Sequence, residues 1–143
     1  MRGYSLLEVL VATTIVIVGV AALAQLIAFA AHTNLQASRT TMAAILAQRK
    51  MEQLLPEAPI GQTPSPTGAL GHNVEGYYDF LDQAGHLLGG GPTPPAGHAY
   101  LRRWSIDPLP DSPNNTWILQ VLVTDLRSRT VARFVAAKAG KAF

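Results

Sequence analysis

Residues 3–20 read GYSLLEVLVATTIVIVGV, and the apolar character continues to Ala31 with Glu8 as the one charged side chain on the way. Val9 to Ala31 is 23 residues without a charge. As a helix rising 1.5 Å per residue this stretch is about 34 Å long, matched to a hydrocarbon core of about 30 Å. The run therefore predicts a membrane-spanning helix. Thr13 and Thr14 can bond back to the preceding turn, Gly19 is tolerated in such helices, and Gln25 is the one strongly polar interruption. A buried core helix of this character would need a far larger protein around it. A secretory signal ending near Ala30 is an alternative, since Ala28-Phe29-Ala30 fits a small-x-small cleavage pattern. Against it stand the length of the run and the acid at Glu8, where a signal carries positive charge. An ionisable residue at the edge of a membrane helix is a candidate functional residue, because it costs free energy unless it snorkels or finds a partner.

No stop signal follows the span. His32 to Leu55 contains neither Pro nor Gly and is rich in good helix formers, so one helix is expected from Tyr4 to Leu55, ending at Pro56 and about 78 Å long. Residues 4–31 form its membrane-spanning half and residues 32–55 its amphipathic half. In the latter, Leu35, Met42, Ile45, Leu46 and Leu54 recur at helical spacing among Arg39, Arg49, Lys50 and Glu52. Residues 56–99 turn to Pro, Gly and Thr and read as loop, with a short hairpin where YYDFL and HLL flank Asp82-Gln83-Ala84-Gly85.

Three runs in residues 100–143 alternate as strands do: Tyr100 to Asp107, Trp117 to Asp125 and Thr130 to Ala137. The alternation assigns Tyr100, Trp104 and Ile106 to one face of the first, Trp117, Leu119, Val121 and Val123 to one face of the second, and Val131, Val135 and Ala137 to one face of the third. Short connections favour an antiparallel meander. The expected fold is α+β: a long N-terminal helix whose amphipathic half packs on a small C-terminal antiparallel β-sheet, the one large apolar surface available to cover it. Trp104 and Trp117 fit the core of that sheet better than a ligand-stacking surface.

Among 143 residues there is no cysteine, which excludes disulfides, thiolate nucleophiles and thiolate metal sites. The net charge of +2 hides an asymmetry: residues 100–143 carry seven basic side chains, from Arg102 and Arg103 through Arg127, Arg129 and Arg133 to Lys138 and Lys141, against three acids. Contact with nucleic acid through these strands is a minor alternative, and a solvated basic face is the expectation. His72, His86 and His98 with Asp79 and Asp82 lack metal-ligand spacing, so no metal site and no cofactor are expected. Ser5 and Ser38 have no base at a supporting spacing, and the chain is not read as an enzyme.

Gly3, an aromatic Tyr4, Ser5-Leu6-Leu7-Glu8-Val9-Leu10 and the apolar run together resemble the class III signal of type IV prepilins and type II secretion pseudopilins. Residues 5–20 with LAQRKMEQLL (46–55) are similar to the helix of PilV-type minor pilins and of the I-type pseudopilin, and RRWSI, WILQVLVTD and TVARFVAAK resemble their C-terminal meander. The resemblance is specific over roughly the first 55 residues and holds in pattern beyond them. It implies a pilin-like fold, with residues 1–3 as a prepilin leader cut by a prepilin peptidase after Gly3, and Tyr4 as the N-methylated mature terminus. Glu8 is then the assembly acid that pairs with the N-terminus of a neighbouring subunit. It implies a structural subunit held in the bacterial inner membrane with its C-terminal domain in the periplasm, then drawn into a pilus or pseudopilus with other pilins as partners. Tyr stands where Phe is commoner, the leader is short and weakly basic, and the span lacks the helix-breaking proline of many major pilins. A membrane-tethered periplasmic binding module, or a secreted domain released near Ala30, are the alternatives.

Overall fold

The computed structural model describes residues 5–57, 63–113, 115–127 and 129–139, and the chain divides into two units, residues 1–38 and 39–143. One helix and five strands make up the described chain: α1 (Leu6–Glu57), β1 (Tyr78–Leu81), β2 (Leu87–Gly89), β3 (Tyr100–Pro108), β4 (Thr116–Asp125) and β5 (Thr130–Ala139). Every strand pairing is antiparallel, in the order β2-β1-β3-β4-β5. The layout is α+β.

The helix runs past its expected end, with Pro56 inside the last turn. Only Glu57 lies beyond it, so the missing N–H and the crowding by the ring fall where the bonding ladder is already ending.

In the second unit the last turns of α1 bury Ala43, Leu46, Ala47, Met51 and Leu54. They pack with Leu81, Tyr100, Trp104, Trp117, Leu119, Val121 and Val123 in one cluster. The buried positions step by three and four residues, the period of one helix face. This corrects the expected stripe. Leu35 and Ile45 are exposed, and the alanines at 43 and 47 lie fully buried beside Leu46. Small side chains let the helix backbone approach the sheet, whereas a stripe drawn from large apolar residues overlooks them. Burial of each large side chain here stabilises by about 1.5–3 kcal/mol.

β1 sits between β2 and β3 and is buried along its whole length. Asp79 and Leu81 pair with Arg102 and Tyr100, which share the helix-covered face. Tyr78 and Phe80 point to the opposite face, where their rings meet edge to face at 5.7 Å and Phe80 meets His98 at 5.2 Å. The hairpin turn after β1 reaches α1 at Gly85. Its φ is +86°, and a Cβ there would come within 2.6 Å of Met42 Cε and 2.9 Å of Leu46 Cδ2. Glycine serves both needs at once: a left-handed backbone and a close approach.

The faces expected for β3 and β4 are the buried ones; in β5 Val131 packs against the core as expected, but from Ala132 onward the faces are reversed. Ala132, Phe134 and Ala136 pack against the core, while Val135 is 60% exposed and Ala137 lies outside. Pairing dictates this. Val121, Leu119 and Val123 face the helix, and their partners across the ladder are Phe134, Ala136 and Ala132. Val131 falls at an irregularity in the register beside Val123 and Thr124, which detaches it from the alternation.

Candidate assembly site

In the first unit α1 exposes every described side chain, from Leu6 at 87% to Phe29 at 70% and Leu35 at 61%. The helix is long and apolar enough to cross a membrane. Its few hydroxyls are turned inward. Thr13 Oγ1 donates to the carbonyls of Val9 and Leu10, Thr14 to Leu10 at 2.8 Å and Thr33 to Phe29 at 2.8 Å. Those bonds satisfy the threonine hydroxyls without water, so up to Ala31 the helix presents hydrocarbon on all sides except at Gln25 and the acid Glu8. Such a surface is unfavourable in water and suits lipid or other apolar helices.

Gly3 and Tyr4 lie outside the described residues. Glu8 is in the first turn of α1 and exposed, and among the described residues no cation pairs with it. Ser5 caps the helix: its carbonyl accepts from Glu8 N–H at 3.0 Å and from Val9 N–H at 3.3 Å, and its Oγ lies 3.2 Å from Glu8 N. Ser5-x-x-Glu8 has the spacing of a capping box, a signal present in the sequence beside the more prominent apolar run. A carboxylate in the first turn faces the positive end of the helix dipole, worth about 0.3–1 kcal/mol at an exposed site. That offsets part of the cost of carrying an acid at the start of an apolar helix and leaves its carboxylate open to a second partner.

Most basic side chains of residues 102–138 are held by internal partners, while Arg127 is exposed in the turn after β4. Arg102 is the largest departure from a solvated face: it is buried, its Nε and Nη2 donate to Asp79 Oδ1 and Oδ2 at 3.0 and 2.6 Å, and its Nη1 donates to Leu46 O at 3.0 Å. Arg103 donates to Asn73 Oδ1, Arg129 to Asp125 and Arg133 to Gln120, while Lys138 reaches Leu55 O. Lys141 lies outside the described residues. Neither tryptophan forms a stacking platform in water. Trp104 and Trp117 are buried, and Lys50 Nζ sits 3.7 Å from the centre of the Trp104 ring.

The histidines and acids of the loops are dispersed into separate contacts. His86 Nδ1 bonds Asp82 Oδ2 at 2.9 Å, and its main-chain N–H donates to Asp82 Oδ1 at 2.8 Å; these bonds hold the Asp82 carboxyl below its usual range. His98 Nδ1 lies 2.8 Å from Pro95 O, and Asp79 is taken by Arg102. Among the described residues no group of three metal-ligating side chains converges.

No family model, characterised protein or solved structure matches this chain.

Proposed function

We propose that the chain is a minor pilin or pseudopilin: a structural subunit with a pilin-like fold, anchored in the bacterial inner membrane and drawn into a helical filament of a pilus or a type II secretion-like system. It performs no chemistry of its own and is a substrate of the prepilin peptidase, which cuts after Gly3 and methylates Tyr4. The observation that carries the reading is the helix from Leu6 to Ala31, exposed on every side and apolar but for Gln25 and two threonines, with its single acid in the first turn. Lipid covers such a surface before assembly, and neighbouring helices cover it in a filament core. Glu8 then pairs with the methylated amine of Tyr4 on an adjacent subunit, an ion pair at low dielectric that sets the axial register.

Intact-mass analysis of the N-terminal peptide from membranes tests the proposal. The expected terminus is N-methyl-Tyr4, and replacing Gly3 with Leu should leave the precursor uncut. An unmethylated chain retaining Met1 would identify a tethered periplasmic module instead, and a terminus at Ala31 or His32 would identify a secreted domain.

A further inference from the structure

Gln25 is the one strongly polar side chain within the apolar run of Val9 to Ala31, and it is exposed. Thr13, Thr14 and Thr33 turn their hydroxyls onto carbonyls of the preceding turn, but among the described residues the Gln25 amide makes no hydrogen bond. That amide carries two N–H donors and a carbonyl acceptor, and hydrocarbon satisfies neither kind. Snorkelling gives little relief. The nearer end of the run is Ala31, about 9 Å toward the C-terminus, whereas side chains of a helix lean toward its N-terminus, here toward the middle of the span. The amide therefore stays in the apolar layer until another helix meets it.

Its neighbours on the helix are small. Ala21 lies one turn before Gln25 and Ala28 one turn after it on the same face, with Ala24 beside them, and all three are exposed. Alanines there let a second backbone come close enough for two amide side chains to touch, whereas Leu23 and Ile27, large and on the opposite face, would hold it off. Depth selects the partner. Copies of one chain insert with the same topology and lie parallel, so their Gln25 side chains meet at one level of the bilayer. An amide is also its own complement, each carbonyl accepting from the N–H of the other. A helix of different sequence would need a polar group at that level, on a face as free of bulk. We propose that two copies of this chain associate in the membrane through the face of Ala21, Ala24 and Ala28, with a reciprocal hydrogen bond between their Gln25 amides at its centre. This pairing rests on the membrane-anchored reading and not on assembly into a filament.

The chain has no cysteine, so single replacements report which faces meet. Full-length variants Ala21→Cys, Ala28→Cys, Leu23→Cys and Ile27→Cys are oxidised in membranes with copper phenanthroline, and disulfide-linked dimer is read on non-reducing gels. Dimer is expected from the first two and little from the others. Adding Gln25→Leu to Ala28→Cys should lower the linked fraction about threefold or more, as for loss of interhelical hydrogen bonds. Membrane abundance should hold, since leucine inserts at least as well as glutamine. Even linkage around the helix, or a linked fraction unmoved by Gln25→Leu, overturns the proposal, and so does linkage of this face to a different protein in place of the dimer. Alkaline carbonate extraction separates the two readings. An anchored chain without face-selective dimer sinks the pairing alone, while a chain stripped from the membrane sinks the anchored reading with it.

Discussion

Arg102 and Asp79 form a two-bond ion pair across β1 and β3, with side chains only 9% and 10% exposed. The third arm of Arg102 reaches Leu46 O, so one guanidinium ties two strands to the helix that covers them. Removing one partner strands a buried charge. Asp79→Ala or Arg102→Ala should each destabilise the folded domain by about 3–5 kcal/mol, whereas the double change Asp79→Leu with Arg102→Met should restore most of that or exceed wild type. Denaturant unfolding of the four proteins checks it. Additive losses in the double variant would mean that the two side chains act separately.

Gly85 and Gly76 separate backbone strain from packing. Both hold positive φ, +86° and +82°, but a Cβ at Gly76 meets nothing within 4 Å while one at Gly85 strikes Met42 and Leu46. Gly76→Ala should cost about 1 kcal/mol, and Gly85→Ala clearly more, because the hairpin must move off the helix. Truncating Met42 in the Gly85→Ala background should recover part of the difference. Equal losses at the two sites in thermal melts would remove the close-packing account.

Asp125 gives a pH dependence of known sign. Burial pushes its carboxyl up, but bonds from the N–H groups of Arg129 and Arg127 and from the Arg129 guanidinium outweigh that, leaving it below the ordinary 3.8. A carboxyl lowered by folding contributes stability that is complete above its unfolded value and is lost as pH falls through the folded one. The stability gap between wild type and Asp125→Asn should therefore be full near neutral pH and should close as pH falls from about 3.8 through the lowered folded value. A gap that is constant across this range would show that the carboxylate's charge is not what holds the β4–β5 turn.

The cover of the sheet can be tested by truncation. A fragment of residues 33–143 keeps Ala43, Leu46, Ala47, Met51 and Leu54 and should be soluble with cooperative unfolding. A fragment of residues 56–143 exposes Leu119, Val121 and Val123 and should aggregate. Gel filtration and thermal melts distinguish the two, and equal behaviour would show that the helix is dispensable as a cover.

Glu8→Val tests the assembly acid. A charge at the centre of a membrane helix costs about 2.5–3.5 kcal/mol and less near its end, so the substitution should leave insertion intact or slightly better. In the proposed filament it would strand the neighbour's methylated amine, and incorporation into sheared filaments should fail while membrane abundance holds. Ser5→Ala, which removes a cap and keeps the acid, should assemble normally. Wild-type incorporation of the Glu8→Val chain with unchanged cleavage would leave the acid no pairing role.

The sequence by itself determined the membrane-length helix, the isolation of Glu8 within it and the inward face of β4, because each depends on composition or period within one segment. Trp117, Leu119, Val121 and Val123 stand out at every second residue with little competition from the other face. Tertiary structure decided the rest. A short run such as Tyr78–Leu81 shows strand character, but its place beside β3 comes from a ladder about twenty residues away, where Arg102 selects Asp79. In β5 both faces carry apolar residues, and local pattern cannot choose between Val135 and Phe134; the register against β4 does. Ala43 and Ala47 are unremarkable letters until a sheet lies close enough to need their size. The Ser105 hydroxyl, buried with no hydrogen-bond partner among the described residues, is likewise invisible in sequence, since whether a polar atom finds a partner depends on what folds over it, here a proline-bearing loop some forty residues earlier in the chain.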